Sequence, residues 1–152
     1  MRAQQIMTVR PVVATREKNL QEVAELMVEY DCGEIPVVDS EDGMIPVGVI
    51  TDRDIVCRTV AQGRNPLGLT AGDCMTTPCV TVELHDKVEE CCRVLEEQQL
   101  RRLLVVDKAG RLCGIISQAD IAEFARPEQA IAVVREVSQR GNGHGPYHAS
   151  PL

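Results

Sequence analysis

Residues 48–55 read Gly48-Val49-Ile50-Thr51-Asp52-Arg53-Asp54-Ile55, and the pattern returns at 114–121 as Gly114-Ile115-Ile116-Ser117-Gln118-Ala119-Asp120-Ile121. Both copies place a glycine and two apolar residues before a hydroxyl residue, with an aspartate three positions beyond it. Two matching blocks precede the motif in each copy: residues 35–39 (IPVVD) return as 103–107 (LLVVD), and residues 7–8 (MT) return as 75–76. The offset is 68 residues for these two blocks and 66 for the motif, and the difference falls at a turn, where true repeats tolerate indels. The sequence is therefore an internal duplication.

Each copy predicts the order strand, helix, strand, strand, helix. The first strand is expected at residues 12–14 and 80–82, and two apolar strands joined by a turn at Gly43 or Gly110 follow the first helix. A strand–helix–strand crossover favours parallel pairing, whereas the tight turn favours antiparallel pairing. The second helix is expected to begin after Thr51 or Ser117. The apolar stripe of the first helix is predicted from Leu20, Val23, Ala24, Met27 and Val28 in the first copy, and from Val88, Cys91, Cys92 and Leu95 in the second.

These patterns predict an α/β fold made of two repeats. The expected boundaries are 1–61 for the first repeat, 62–69 for a linker, 70–126 for the second repeat, 127–140 for a C-terminal helix and 141–152 for a flexible tail. One repeat alone has too little core to be stable, so the two are expected to pack together.

The composition argues against several classes of function. A formal net charge of −7 disfavours non-specific binding to nucleic acid and docking on an anionic membrane. No segment has the roughly 18 apolar residues needed to cross a bilayer, and the start lacks the pattern of a signal peptide, so we expect a cytoplasmic protein. The seven cysteines form no C-x-x-C pair, which favours small buried hydrophobic residues over disulfides or a zinc site. His85, His144 and His148 have no partner at a catalytic spacing, so no enzyme activity is expected.

The repeated motif has two interpretations. In the first, Thr51 or Ser117 caps the second helix, and the aspartate three positions later bonds back to the cap residue, as in a capping box. In the second, the N–H groups at the helix start bind a phosphate, and the aspartate accepts hydrogen bonds from the two hydroxyl groups of a ribose. Taken alone, the motif favours the cap.

The duplicated unit, the Met-Thr opening, the IPVVD strand and the GVITDRDI turn together resemble the cystathionine-β-synthase (CBS) domain family, over about residues 4 to 125. The resemblance implies a tandem CBS pair with pseudo-two-fold symmetry, which binds AMP, ADP, ATP or S-adenosylmethionine in clefts between the repeats and regulates rather than catalyses. It also implies a homodimer, for which the apolar helix stripes would offer surface, and output through a separate effector protein. The ligand-binding residues that it implies are Thr51, Arg53 and Asp54 in one copy, Ser117 and Asp120 in the other, Cys32, Gly33, Glu34, Leu100, Arg101 and Arg102 before the second strands, and Thr15 and Leu84 after the first strands.

The two copies depart from the family pattern in different ways. Glu34 places a carboxylate where a small residue is common, and it would repel a phosphate. Ala119 replaces the basic residue that Arg53 supplies, while Arg101 and Arg102 either bring positive charge to the second site or form an ordinary solvated surface. The two sites are therefore not expected to be equivalent. A ligand-free interaction module is the alternative function, and a thiol-based redox or metal sensor is a third.

Overall fold

The structure, a computed structural model, describes residues 1–139, so the predicted tail at 141–152 and its two histidines lie outside the described residues. A single turn of 3₁₀ helix, Pro66–Gly68, lies within the expected linker at 62–69, and another, Val60–Gln62, lies at its start. No helix in this part of the chain is long and apolar enough to cross a membrane. In chain order the other elements are α1 (Ala3–Ile6), β1 (Thr8–Val9), β2 (Ala14–Thr15), α2 (Leu20–Glu29), β3 (Glu34–Val38), β4 (Pro46–Thr51), α3 (Asp52–Arg58), α4 (Ala71–Cys74), β5 (Thr81–Glu83), α5 (Val88–Gln98), β6 (Arg102–Val106), β7 (Leu112–Ser117), α6 (Gln118–Phe124) and α7 (Pro127–Ser138).

The described chain forms two compact units. The N-repeat unit comprises residues 10–80 and 106–113, and the C-repeat unit comprises residues 1–9, 81–105 and 114–139. Both units alternate strands and helices, which confirms the predicted α/β class of the fold.

The N-repeat unit has a three-stranded sheet in the order β2-β3-β4. β2 pairs parallel with β3, and β3 pairs antiparallel with β4, so both predicted senses of pairing are confirmed. The predicted position of the first strand is shifted, because Ala14 and Thr15, rather than residues 12 and 13, find ladder partners in Val37 and Val38. In the C-repeat unit the order is β1-β7-β6-β5, with β1 antiparallel to β7.

The first helices of the two repeats supply much of the core. In α5 the predicted stripe is confirmed, since Val88, Cys91, Cys92 and Leu95 are all buried. In α2 the stripe is only partly right: Leu20, Val23 and Met27 are buried, but Ala24 is exposed and Val28 is 83% exposed. α2 packs instead through the flank that carries the half-buried Leu26. The buried stripe residues therefore belong to the core, and of the predicted stripes only Ala24 and Val28 are exposed, so the homodimer surface expected there stays a prediction limited to α2.

Each unit takes its Met-Thr segment from the other sequence repeat. Thr8 of the first repeat pairs with Ile115 of β7 in the C-repeat unit. Thr76 of the second repeat forms a bridge with Val49 of β4 in the N-repeat unit, with N–O distances of 3.0 and 2.7 Å.

This crossing of segments explains the glycine that opens each motif. A Cβ atom at Gly48 would lie 2.8 Å from the carbonyl oxygen of Thr76, and one at Gly114 would lie 2.8 Å from the carbonyl oxygen of Thr8. Real Cβ atoms are almost never found so close to a backbone oxygen, so the segments can cross these strands only where a side chain is missing.

Candidate functional site

The repeated motif forms a complete capping box at the start of α3. The N–H of Asp54 donates to Oγ1 of Thr51 at 2.9 Å, and the N–H of Thr51 donates to Oδ2 of Asp54 at 3.0 Å. Two of the N–H groups that a helix start leaves unpaired are thereby satisfied. The capping interpretation of the first motif is confirmed.

Asp54 does more than cap, because its other oxygen is also engaged. Its side chain has no exposed surface. The hydroxyl of Thr76 donates to Oδ1 at 3.0 Å, and Nε of Arg58 lies 3.7 Å from the same oxygen. Arg58 also donates through Nη1 to the carbonyl oxygens of Met75 at 2.7 Å and Cys74 at 3.2 Å. Asp54 and Arg58 together hold the Met75-Thr76 segment against α3, and we call this set of contacts the Asp54 clasp.

The second motif forms the same capping box without the clasp. The N–H and the hydroxyl of Ser117 both donate to Oδ2 of Asp120 at 2.7 Å, and the N–H of Asp120 donates to Oγ of Ser117 at 3.3 Å. Asp120 is half-buried, and within residues 1–139 no group donates to its Oδ1 atom. The position that matches Arg58 is occupied by Phe124, which has no donor.

Backbone hydrogen bonds bring the residues before the second strands next to the motif. The N–H of Asp52 donates to the carbonyl oxygen of Gly33 at 2.9 Å, and the N–H of Gln118 donates to that of Arg101 at 3.1 Å. Arg101 is exposed and Arg102 is half-buried, and neither guanidinium forms an ion pair with another described residue. Positive charge is thus available beside the second motif.

The remaining predicted site residues lie at the ends of strands, in the loops before strands or, for Arg53, in the first turn of α3. Thr15 ends β2, and Leu84 follows β5, where its carbonyl oxygen accepts from the N–H of Gln4 at 3.1 Å. Arg53 is exposed, whereas Cys32, Gly33, Glu34 and Leu100 are half-buried. Their role in ligand binding, and the predicted clefts between the repeats, stay predictions.

Three residues of the site were missed from the sequence: Arg58, Thr76 and Gln118. The i, i+4 spacing of Asp54 and Arg58 on a helix was a usable signal for an ion pair. The repeated Met-Thr block was also visible, but nothing in it shows that Thr76 would reach a carboxylate 22 positions earlier.

The thiols give little support to a redox function. Burial raises the pKa of Cys91 to about 12 and that of Cys92 to about 11, and it also raises the pKa of Cys74, Cys79 and Cys113. The thiolate is the reactive form, so these five groups are poor nucleophiles at neutral pH. Within residues 1–139 no group of three His, Cys, Asp or Glu side chains is placed to hold a metal ion.

Comparisons with known proteins agree with the duplicated architecture. The model of the CBS-domain family matches residues 3–58 and 71–126. Hypoxic response protein 1 of Mycobacterium tuberculosis is 35% identical over 129 residues, which cover 85% of this chain and 87% of that protein. An uncharacterized protein of Methanopyrus kandleri is 38% identical over 102 residues, but this chain spans about half (51%) of its length.

Solved structures add two similar folds. The crystal structure of Hypoxic Response Protein I with two coordinated zinc ions has a TM-score of 0.73 and 32% identity, and the match covers 83% of this chain and 100% of that one. The structure of CBSX2 in complex with AMP, a protein whose source is Arabidopsis thaliana, has a TM-score of 0.69 and 28% identity, over 82% of this chain and 95% of that one.

Proposed function

Since this chain belongs to the CBS-domain family and carries two CBS domains as a regulatory pair, we propose that it is a non-catalytic sensor that binds an adenosine-containing ligand. AMP, ADP, ATP and S-adenosylmethionine are the candidates. We propose in addition that the ligand changes the affinity of the CBS pair for a separate effector protein, which requires that the ligand bind two states of the pair unequally.

One observation carries the proposal: a hydroxyl–carboxylate pair is placed at the same strand–helix junction in both units. Ser117 and Asp120 in the C-repeat unit leave one carboxylate oxygen without a donor among the described residues. A carboxylate oxygen of this kind accepts hydrogen bonds from ribose hydroxyl groups, and charged acceptors form the stronger hydrogen bonds. The complex of the similar CBSX2 with AMP supports adenosine as the ligand class.

Thermal unfolding in the presence of each candidate ligand tests the proposal. A ligand at about 100 times its dissociation constant stabilises the native state by about 2.7 kcal/mol. For a chain of this size that corresponds to a rise in melting temperature of about 5–11 °C. The expected result is such a rise with at least one of the four ligands.

The capping box at the start of α4, outside the repeated motif, supplies a matched control. Thr70 and Asp73 cap α4 with the same geometry, since the N–H of Thr70 donates to Oδ2 of Asp73 at 2.9 Å. Asp120→Asn and Asp73→Asn each remove one carboxylate charge from a capping box, and only Asp120→Asn should reduce the rise, to about half or less at the same ligand concentration. If no ligand changes the melting temperature, the capping boxes are structural only and the chain is a ligand-free interaction module.

We also propose that two chains associate as a homodimer. Exposed apolar side chains of second helices and the C-terminal helix support this, among them Val56 (55% exposed) on α3 and Ile131 (59% exposed) on α7. Light scattering on the purified protein measures the mass directly, and a monomeric mass at micromolar concentration would contradict a stable dimer. Val56→Glu and Ile131→Glu then identify which helix forms the interface.

A further inference from the structure

The two copies of the motif differ in whether their carboxylate can receive a ligand. Both oxygens of Asp54 are occupied by groups of the protein: Oδ2 by the N–H of Thr51, and Oδ1 by the hydroxyl of Thr76 with Arg58 beside it. The side chain is fully buried. A ribose hydroxyl would have to displace Thr76 and expose a carboxylate whose charge is balanced within the fold.

Asp120 has the opposite properties. The N–H and the hydroxyl of Ser117 donate to its Oδ2 atom, whereas its Oδ1 atom accepts no hydrogen bond from the described residues. The side chain of Asp120 is half-buried, whereas that of Asp54 is fully buried. Thr8, which corresponds to Thr76, is exposed, and its hydroxyl forms no hydrogen bond with another described residue. The clasp that occupies the first aspartate is therefore missing at the second.

Gln118, next to Ser117, carries a polar group that is not satisfied. Its Nε2 atom is buried and has no hydrogen-bond partner among the described residues. A buried donor without a partner is unfavourable, and the last torsion of a glutamine side chain turns easily. In the N-repeat unit the corresponding residue is Asp52, whose Oδ1 atom accepts from the N–H of Arg53 at 2.8 Å. Next to Ser117 the C-repeat unit thus has a buried donor without a partner, whereas the N-repeat unit has a carboxylate that accepts a hydrogen bond at the corresponding position.

Charge separates the two sites further. Around the first motif, Glu34, Asp52 and Asp54 supply three carboxylates against the two guanidinium groups of Arg53 and Arg58. The equivalent positions in the C-repeat unit supply the guanidinium groups of Arg101 and Arg102 against the single carboxylate of Asp120. An anionic ligand is therefore favoured at the second site and disfavoured at the first.

We propose that the two motifs have divided roles: the Ser117–Asp120 motif binds one anionic nucleotide per chain, and the Asp54 clasp is a structural element that binds no ligand. This inference rests on the proposed function and restricts it to one site per chain and to anionic ligands. Phosphate-bearing nucleotides such as AMP are selected over S-adenosylmethionine, because the latter carries cationic sulfonium and ammonium groups and Arg101 and Arg102 give this site positive charge.

Calorimetric titration of the full chain with AMP, adenosine and S-adenosylmethionine tests it, since the method gives both stoichiometry and affinity. We expect one AMP per chain and weaker binding of the other two. Asp120→Asn removes a charged acceptor, and it should weaken AMP binding about 10- to 100-fold. Thr76→Val opens the clasp but leaves the ligand site intact, so it should lower the stability of the protein and change the AMP dissociation constant less than threefold.

Arg101→Gln keeps the test valid if Asp120→Asn does not fold, because Arg101 is exposed. It should weaken the binding of AMP and leave that of adenosine unchanged. Two AMP molecules per chain, a loss of binding in Thr76→Val, or tighter binding of S-adenosylmethionine than of AMP would each overturn the divided roles while adenosine sensing stands. Absence of binding by these three ligands and also by ADP and ATP would overturn the proposed function itself.

Discussion

Replacing Gly114 by alanine should destabilise the C-repeat unit, because the Met7-Thr8 segment crosses β7 at that residue. The new Cβ atom would lie 2.5 Å from Sδ of Met7 and 2.8 Å from the carbonyl oxygen of Thr8. The methionine side chain can turn away, but the carbonyl oxygen belongs to β1, whose backbone pairs with β7. The strain can be relieved only by moving β1.

The magnitude follows from what β1 and α1 contribute. If small shifts of the backbone relieve the overpacking, the free energy of unfolding should fall by about 1–3 kcal/mol. If the segment detaches, the protein also loses the burial of Ile6, which is 3% exposed, worth about 1.5–3 kcal/mol. Three backbone hydrogen bonds that tie residues 1–4 to residues 84–88 would break as well, each worth about 0.5–1.5 kcal/mol.

Urea denaturation followed by circular dichroism measures the effect. Gly68→Ala is the matched control, since a Cβ atom there would meet nothing within 4 Å, and it should change the free energy of unfolding by less than about 0.5 kcal/mol. Gly48→Ala should behave like Gly114→Ala, because its Cβ would lie 2.8 Å from the carbonyl oxygen of Thr76. If the Gly114→Ala protein is as stable as the Gly68→Ala control, contact with the crossing segment is not the reason that the motif has a glycine at this position.

Three further predictions concern helix caps, the clasp and the buried thiols. Lys87 precedes α5 with the backbone geometry that Asn19 has before α2, but it forms no side-chain cap, so Lys87→Asn should raise the free energy of unfolding by about 0.5–1 kcal/mol in urea denaturation. Arg58→Met should lower it by about 2 kcal/mol or more, because Asp54 stays buried while the guanidinium and its hydrogen bonds to Met75 are lost. Burial raises the pKa of Cys91 in the folded protein to about 12, so above pH 9 this thiol ionises first in the unfolded chain. Its contribution to the free energy of unfolding is complete below pH 9 and should fall by up to about 1.4 kcal/mol per pH unit between pH 9 and pH 12.

Each of these predictions has its own control. Lys87→Ala lacks a capping oxygen and should not stabilise, so equal gains for Ala and Asn would argue against a cap. Arg64→Met removes an exposed guanidinium near the same helix, and a loss as large as that of Arg58→Met would contradict the clasp. In Cys91→Ala the free energy of unfolding should fall less steeply between pH 9 and pH 12 than in the parent protein. An unchanged dependence on pH would mean that other groups cause the loss of stability.

The repeat and its local structure were predictable from the sequence, because they depend on short-range chemistry. Periodicity placed α2 and α5, the turn at Gly43 or Gly110 placed the hairpins, and the hydroxyl–x–x–aspartate spacing placed the caps of α3 and α6. These features depend on residues a few positions apart, so their causes are visible in a single stretch of chain.

The difference between the two aspartates was not predictable, because it depends on residues far apart in the sequence. Asp54 and Asp120 have the same spacing to their caps, and the sequence by itself determined only that both would start a helix. Tertiary structure brings Thr76 of one repeat against α3 of the other, and this contact buries one carboxylate while its counterpart keeps an oxygen without a donor among the described residues. Spacing along the chain determines a helix cap. Whether the carboxylate oxygen of that cap remains accessible depends on which distant segment packs against it in the tertiary structure.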